Sequence, residues 1–117
     1  MIINLGFRNL LLGYRDIDRG YVLENIVYLE LLRRDYRVLI GKVGDMEVDF
    51  IAENPSEKLY IQVTETIMPE SVRERELRLL KAIRDNYEKI VLSMDRSYVT
   101  LHDGIKTLNI IDFLLSG

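Results

Sequence analysis

An α/β domain is what this sequence predicts, and three observations predict it. Helical apolar spacing runs over 19–34 and again over 69–87. Between them lie three short β-branched runs bounded by turn signals. A fourth such run follows the second helix, so helices lie before and after a meander and can cover the sheet it forms. At 117 residues, 48% of them apolar, the chain has the size of one domain with a buried core, and residues 1–117 show no repeat, low-complexity tract or linker.

Residues 1–14 carry short apolar runs around Gly6 and Gly13 and read as an irregular arm with room for one helical turn. Asp16 or Asp18 can cap the first helix, 19–34. Its apolar residues Val22, Leu23, Ile26, Val27, Leu29, Leu31 and Leu32 form a stripe too broad for a surface helix, which predicts packing on two sides. Residues 36–43 alternate as a strand, and Gly44-Asp45 is a tight turn into the second strand, 46–53. Asn54-Pro55-Ser56 marks the next turn, and 58–66 is the third strand. Pro69 opens the second helix, which buries Val72, Leu77, Leu79, Leu80 and Ile83. Strands over 89–94, 98–102 and 105–109 follow, the last two joined at Asp103-Gly104, and 110–115 is a short closing helix.

Composition removes several classes of function. No cysteine is present, so thiolate nucleophiles, disulfides and cysteine zinc sites are excluded, and the lone His102, read as an ordinary side chain beside a turn, rules out a multi-histidine metal site or a Ser-His pair. A net charge of -3 argues against a surface built wholly for nucleic acid, though not against a local basic face. No apolar run approaches the ~20 residues of a membrane-spanning helix, and the start of the chain lacks a signal peptide's regions, so a soluble cytoplasmic protein is expected.

Chemistry concentrates in the hairpin. A turn centred between Pro55 and Ser56 sets Asp49 opposite Gln62 and Glu47 opposite Thr64. Strict alternation then puts Glu47, Asp49, Tyr60, Gln62 and Thr64 on one polar face, and Val48, Phe50, Ala52, Ile61 and Val63 on a core face. Glu24 lies on the first helix among Val27, Tyr28 and Leu31, where an unpaired carboxylate is costly. Beside Asp49 and a carbonyl oxygen it would make a hard-cation site suited to Mg2+. Glu30 has equally apolar neighbours, however, and a charged residue on an open strand face is usually just solvated, so spacing alone does not select Glu24.

Asn4-Leu5-Gly6-Phe7-Arg8, Asp18-Arg19-Gly20, the run Leu23 to Leu31, Glu47-Val48-Asp49-Phe50, Ile61-Gln62-Val63 and Gly104 to Leu114 together carry a family likeness. The chain resembles the C-terminal domain, of unknown function, of a group of archaeal and bacterial AAA+ type ATPases, a domain placed in the PD-(D/E)XK nuclease-like superfamily. That resemblance implies a restriction-endonuclease-like αβββαβ core with a central mixed sheet flanked by helices. It implies that Glu24 and Asp49 hold Mg2+, that Gln62 is the third ligand, and that Thr64 stands where the pattern has a water-orienting lysine. A hydroxyl cannot supply that positive charge, and Gln62 offers one neutral oxygen where a glutamate would add charge, so the site is degenerate relative to the pattern. Lys58 lies roughly 20 Å from Thr64 along an extended strand and cannot replace the amine; Arg73 or Arg75 would have to reach in. No Gly-x4-Gly-Lys-Ser/Thr loop is present, so the chain is not the motor and no nucleotide is expected.

Three readings follow. The first is a nuclease-fold module with impaired catalysis that binds DNA or protein or oligomerises. The second is a Mg2+-dependent DNA endonuclease with a basic surface from Arg73, Arg75, Arg78, Lys81 and Arg84. The third is a structural remnant that pairs with an AAA+ ATPase or with a second copy of itself. Glu70, Glu74, Glu76 and Asp85 interleave with those bases, the mixture of a solvated face with local ion pairs.

Overall fold

The computed structural model describes residues 19–96 and 100–116. In chain order the elements are α1 (Arg19–Arg33), β1 (Arg37–Val43), β2 (Met46–Glu53), β3 (Lys58–Val63), α2 (Glu70–Lys81), β4 (Glu88–Ser93), β5 (Thr100–His102), β6 (Ile105–Asn109) and α3 (Ile110–Leu115). The expected arm over 1–14, the caps Asp16 and Asp18, the motif residues Asn4 to Arg8, Tyr98 and the side chain of His102 lie outside the described residues.

One six-stranded mixed sheet runs in the order β1-β2-β3-β4-β6-β5. β1, β2 and β3 form an antiparallel meander; β4 then lies parallel to β3, and β6 parallel to β4. The αβββαβ order is therefore present, with α1 and α3 on one face and α2 on the other. The first core contains Val27, Leu31, Phe50, Ala52, Ile61, Leu92, Ile110 and Phe113. The second contains Val48, Tyr60, Leu77, Leu80, Val91 and Ile105. Among the described residues, no helix is long and apolar enough to cross a membrane.

Local chemistry sets the ends of these elements. α1 closes with Asp35 in the left-handed region at φ 64°, while Tyr36 N–H donates to the Leu31 carbonyl and Asp35 N–H to that of Leu32, a Schellman motif. Gly44 (φ 62°) turns β1 into β2, and Asp103 and Gly104 (φ 53° and 84°) turn β5 into β6, as their sequences predict. At the β2–β3 turn, Asn54 Oδ1 accepts from the backbone of Ser56 and Glu57. α2 ends at Lys81 rather than near Tyr87. Ile83 N–H bonds back only to the Leu80 carbonyl, and Asp85 is pulled away by the Tyr60 hydroxyl and by Lys89.

β3 likewise stops at Val63 rather than at Thr66, because Asp95 takes over the chain beyond it. The Asp95 carboxylate accepts from Thr66 Oγ1 (2.6 Å), Ile67 N–H (2.9 Å) and Ser93 Oγ (3.0 Å). Burial would raise its pKa, but these donors outweigh burial and hold it below the ordinary carboxylate range. Asp95→Ala is expected to cost about 2–3 kcal/mol and lower the thermal midpoint, since three hydrogen bonds to the carboxylate, one of them from the backbone, go together. The effect should shrink as pH falls and the wild-type carboxylate protonates; an unchanged midpoint at neutral pH would contradict this account.

Strict alternation fails in β2. Leu39 pairs with Ile51 but Gly41 pairs with Val48, so two steps on β1 oppose three on β2, a bulge at Asp49-Phe50. Val48 is therefore turned to the α2 face with Tyr60, while Phe50 and Ala52 pack under α1. The expected division into one polar face and one core face is thus corrected: α2 covers the Tyr60 face and makes a second core there.

Candidate functional site

The β2–β3 ladder follows the predicted register from Glu53↔Lys58 to Phe50↔Ile61 and goes no further. Beyond that point the bulge splays the strands, and side chains replace the missing backbone bonds. Asp49 N–H donates to Gln62 Oε1 at 2.6 Å, and Val63 N–H donates to Asp49 Oδ2 at 2.8 Å. The strands thus open into a cleft at the C-terminal end of β3, where a parallel sheet often places its site.

The cleft, about 550 Å³, is lined by all four predicted residues, Glu24, Asp49, Gln62 and Thr64. α1 contributes Glu24, β2 Asp49 and β3 Gln62, while Thr64 lies just past the end of β3, its N–H still bonded to the Leu92 carbonyl. Glu30, which spacing could not separate from Glu24, has a different role. It accepts from both Arg33 and Arg34, and Arg34 in turn reaches the Phe113 carbonyl and stacks on that ring, so Glu30 ties α1 to α3. The Arg33 bond leads in holding its pKa down to about 2, against the effect of burial.

The same cleft brings in residues whose sequence pattern pointed elsewhere. Glu76 of α2 is only 8% exposed, and its Oε2 accepts from Gln62 Nε2 at 2.8 Å. The expectation of a solvated mixed face on α2 is therefore corrected at this position. The signal was present: Glu76 has Val72 at i−4, Leu79 at i+3 and Leu80 at i+4, the apolar-face pattern that drew attention to Glu24. Glu47, Glu65 and Arg75 complete the charged lining. Among the named bases, Arg75 reaches the cleft and pairs with Glu76 at 3.7 Å, whereas Arg73 donates to the Ile67 carbonyl and Lys81 pairs with Asp103. Lys58 sits over the Tyr60 and Tyr87 rings at the far end of β3.

Five carboxylates and one guanidinium line this cleft, and Glu65 is also paired with Arg19 at 3.0 Å, so the described charges leave a negative balance. Burial raises the Asp49 pKa to about 6, opposed by the Val63 N–H and reinforced by the charges of Glu76 and Glu47. Such a site can take a hard divalent cation through carboxylate and carbonyl oxygens. Among the described residues, however, no three carboxylates or histidines already converge as a preformed metal cage. A mostly apolar cavity of about 400 Å³ shares Glu24 and Asp49 as walls and is otherwise lined by Tyr21, Tyr28, Phe50 and neighbours. At its edge Asn25 is buried, donating Nδ2 to the Tyr21 carbonyl, while its own oxygen has no partner among the described residues.

Comparison with known proteins adds one relative and no function. An uncharacterized protein of Haemophilus influenzae is 40% identical over 114 residues. The match covers 97% of this chain but 28% of that protein, so the chain spans under a third of its relative's length. No family model and no solved structure matches the chain.

Proposed function

We propose that this is a nuclease-fold module of the PD-(D/E)XK type whose cleft binds a divalent cation, Mg2+ in the cell, and through it a DNA phosphate, with hydrolysis strongly impaired. The observation that carries the reading is the cleft itself. Glu24, Asp49 and Gln62 share it, and the position expected to orient the attacking water is Thr64, with Arg75 as the cationic side chain among the described lining residues. The donor set fits a hard cation, two carboxylates and an amide oxygen, and the burial that raises the Asp49 pKa is a cost that a bound cation would offset. When bound, the cation would supply Lewis-acid polarisation of the phosphate.

The chain's own residues do the rest. Asp49 is held by Val63 N–H with Oδ2 engaged, and Gln62 is held between Asp49 N–H and Glu76. Thr64 can orient a water by hydrogen bonding but cannot offset the charge that develops on the attacking oxygen. Arg75 carries the charge, but its side chain is largely exposed and pairs with Glu76 at 3.7 Å. A phosphate entering without a cation meets five carboxylates, so binding of DNA here requires the cation. The second reading, a working Mg2+-dependent endonuclease, shares every residue and differs only in rate. Association with an AAA+ ATPase or with a second copy would leave the cleft without a role.

Calorimetric titration of Mn2+ and Mg2+ tests the reading, with Asp49→Ala as control and a supercoiled-DNA nicking assay beside it. Binding that the mutation abolishes, with little or no nicking, is expected. Rapid nicking would establish the second reading, and absence of cation binding in the wild type would end both.

A further inference from the structure

Gln62 is 4% exposed and both ends of its amide are used. Its oxygen accepts from Asp49 N–H at 2.6 Å, and its nitrogen donates to Glu76 Oε2 at 2.8 Å. The Asp49 N–H only donates and the Glu76 oxygen accepts, so the two partners together fix one amide orientation, with nitrogen toward α2 and oxygen toward Asp49. Glu76 is itself 8% exposed, and burying a carboxylate is costly unless it is hydrogen-bonded or paired. Arg75, at 3.7 Å, is the cation paired with it, and that side chain is 64% exposed. The bond to Gln62 therefore gives the buried charge of Glu76 a role at the cleft that solvation of α2 would not require.

We infer that Glu76 is a positioning residue of the proposed cation site: it aims the Gln62 oxygen and carries, one side chain removed, the negative charge that a glutamine on β3 lacks. The inference rests on the cation-binding reading of the cleft. It explains why a neutral amide is tolerated in β3. A glutamate at position 62 would lie within hydrogen-bond distance of Glu76, and two carboxylates that close cannot both ionise without a cation between them. Charge at Glu76 and neutrality at Gln62 are thus two halves of one arrangement, supplied by different elements.

The test is a charge swap read by calorimetry with Mn2+ alone and by the side-chain amide NMR signals of Gln62. Glu76→Gln keeps a hydrogen-bonding partner and the fold, but it removes the charge and leaves Asp49 N–H as the group that holds the amide orientation. Its Mn2+ affinity should fall about tenfold or more, while its thermal midpoint stays near wild type. The double variant Gln62→Glu with Glu76→Gln moves the charge to β3, keeps both hydrogen bonds, and should recover most of that affinity. Wild-type affinity in Glu76→Gln would reduce Glu76 to a structural hydrogen-bond partner and overturn the inference alone. A double variant as weak as the single one would also overturn it, since charge would then not be what Glu76 supplies. No Mn2+ binding by the wild type would remove the cation site and this inference together.

Discussion

Asp49→Asn should be more stable than the wild type at pH 8 by about 1–3 kcal/mol, and the difference should vanish below pH 4. The wild-type carboxyl has a pKa of about 6 in the folded chain, raised from 3.8 by burial first and by Glu76 and Glu47 next. A raised carboxylate pKa means that the folded state holds its proton more tightly than the unfolded one. Well below pH 3.8 both states are protonated and the site costs nothing. As pH rises from about 4 to about 6 the unfolded chain ionises freely while the folded chain resists, so wild-type stability declines across that window and levels off above it. A tenfold difference in proton affinity between the two states corresponds to about 1.4 kcal/mol, and partial solvation of the carboxyl reduces that cost here.

Asparagine keeps an acceptor for Val63 N–H and never carries the charge. Urea unfolding of both proteins from pH 4 to pH 8 checks this; parallel curves would show that Asp49 is not the strained group. Saturating Mn2+ should raise the wild-type midpoint at pH 8 and leave Asp49→Asn unmoved, because the cation stabilises only a charged Asp49. A site whose main acid destabilises the apo fold is what a cation-binding role would leave behind.

Thr64→Lys is expected to raise Mg2+-dependent nicking of supercoiled DNA by about 10²-fold, the scale of one well-placed electrostatic group. Little is lost in the substitution, since the Thr64 hydroxyl makes only a long bond, 3.4 Å, to the Thr66 carbonyl. The ammonium enters a cleft lined by Glu24, Glu47, Asp49, Glu65 and Glu76, where its charge is favourable. Full activity is not expected while Gln62 stays neutral. A folded Thr64→Lys protein that binds Mn2+ yet cleaves no faster than wild type would show that position 64 does not face the attacking water, and the nuclease-type assignment of the cleft would fail with it.

Much of the architecture was legible because local rules governed it. The Gly44-Asp45 and Asp103-Gly104 turns, the register at Glu53↔Lys58 and the helix over Ile110–Leu115 all follow from short-range chemistry. Candidate site residues from three separate elements could be named in advance, and the fold places Glu24, Asp49, Gln62 and Thr64 around one cavity. What misled was the assumption of unbroken alternation. A bulge carries no clear signature in Val48-Asp49-Phe50, and it reverses which face Val48 and Phe50 occupy. The charged neighbours of Glu76 on α2 suggest solvent, whereas Val72, Leu79 and Leu80 on its own face point to the burial the structure shows.

The sequence by itself determined the α/β class, the order of helices and strands, and the presence of acids in apolar surroundings, because periodicity and turn chemistry act over a few residues. Only the tertiary structure decided which acids meet. Glu30 is drawn to Arg33 and Arg34, while Glu24 joins Asp49 at the cleft and Glu76 closes on Gln62 from the far side of the sheet. Those choices depend on where the bulge splays β2 from β3 and on which helix covers which face, and both are settled by packing between residues distant in the chain.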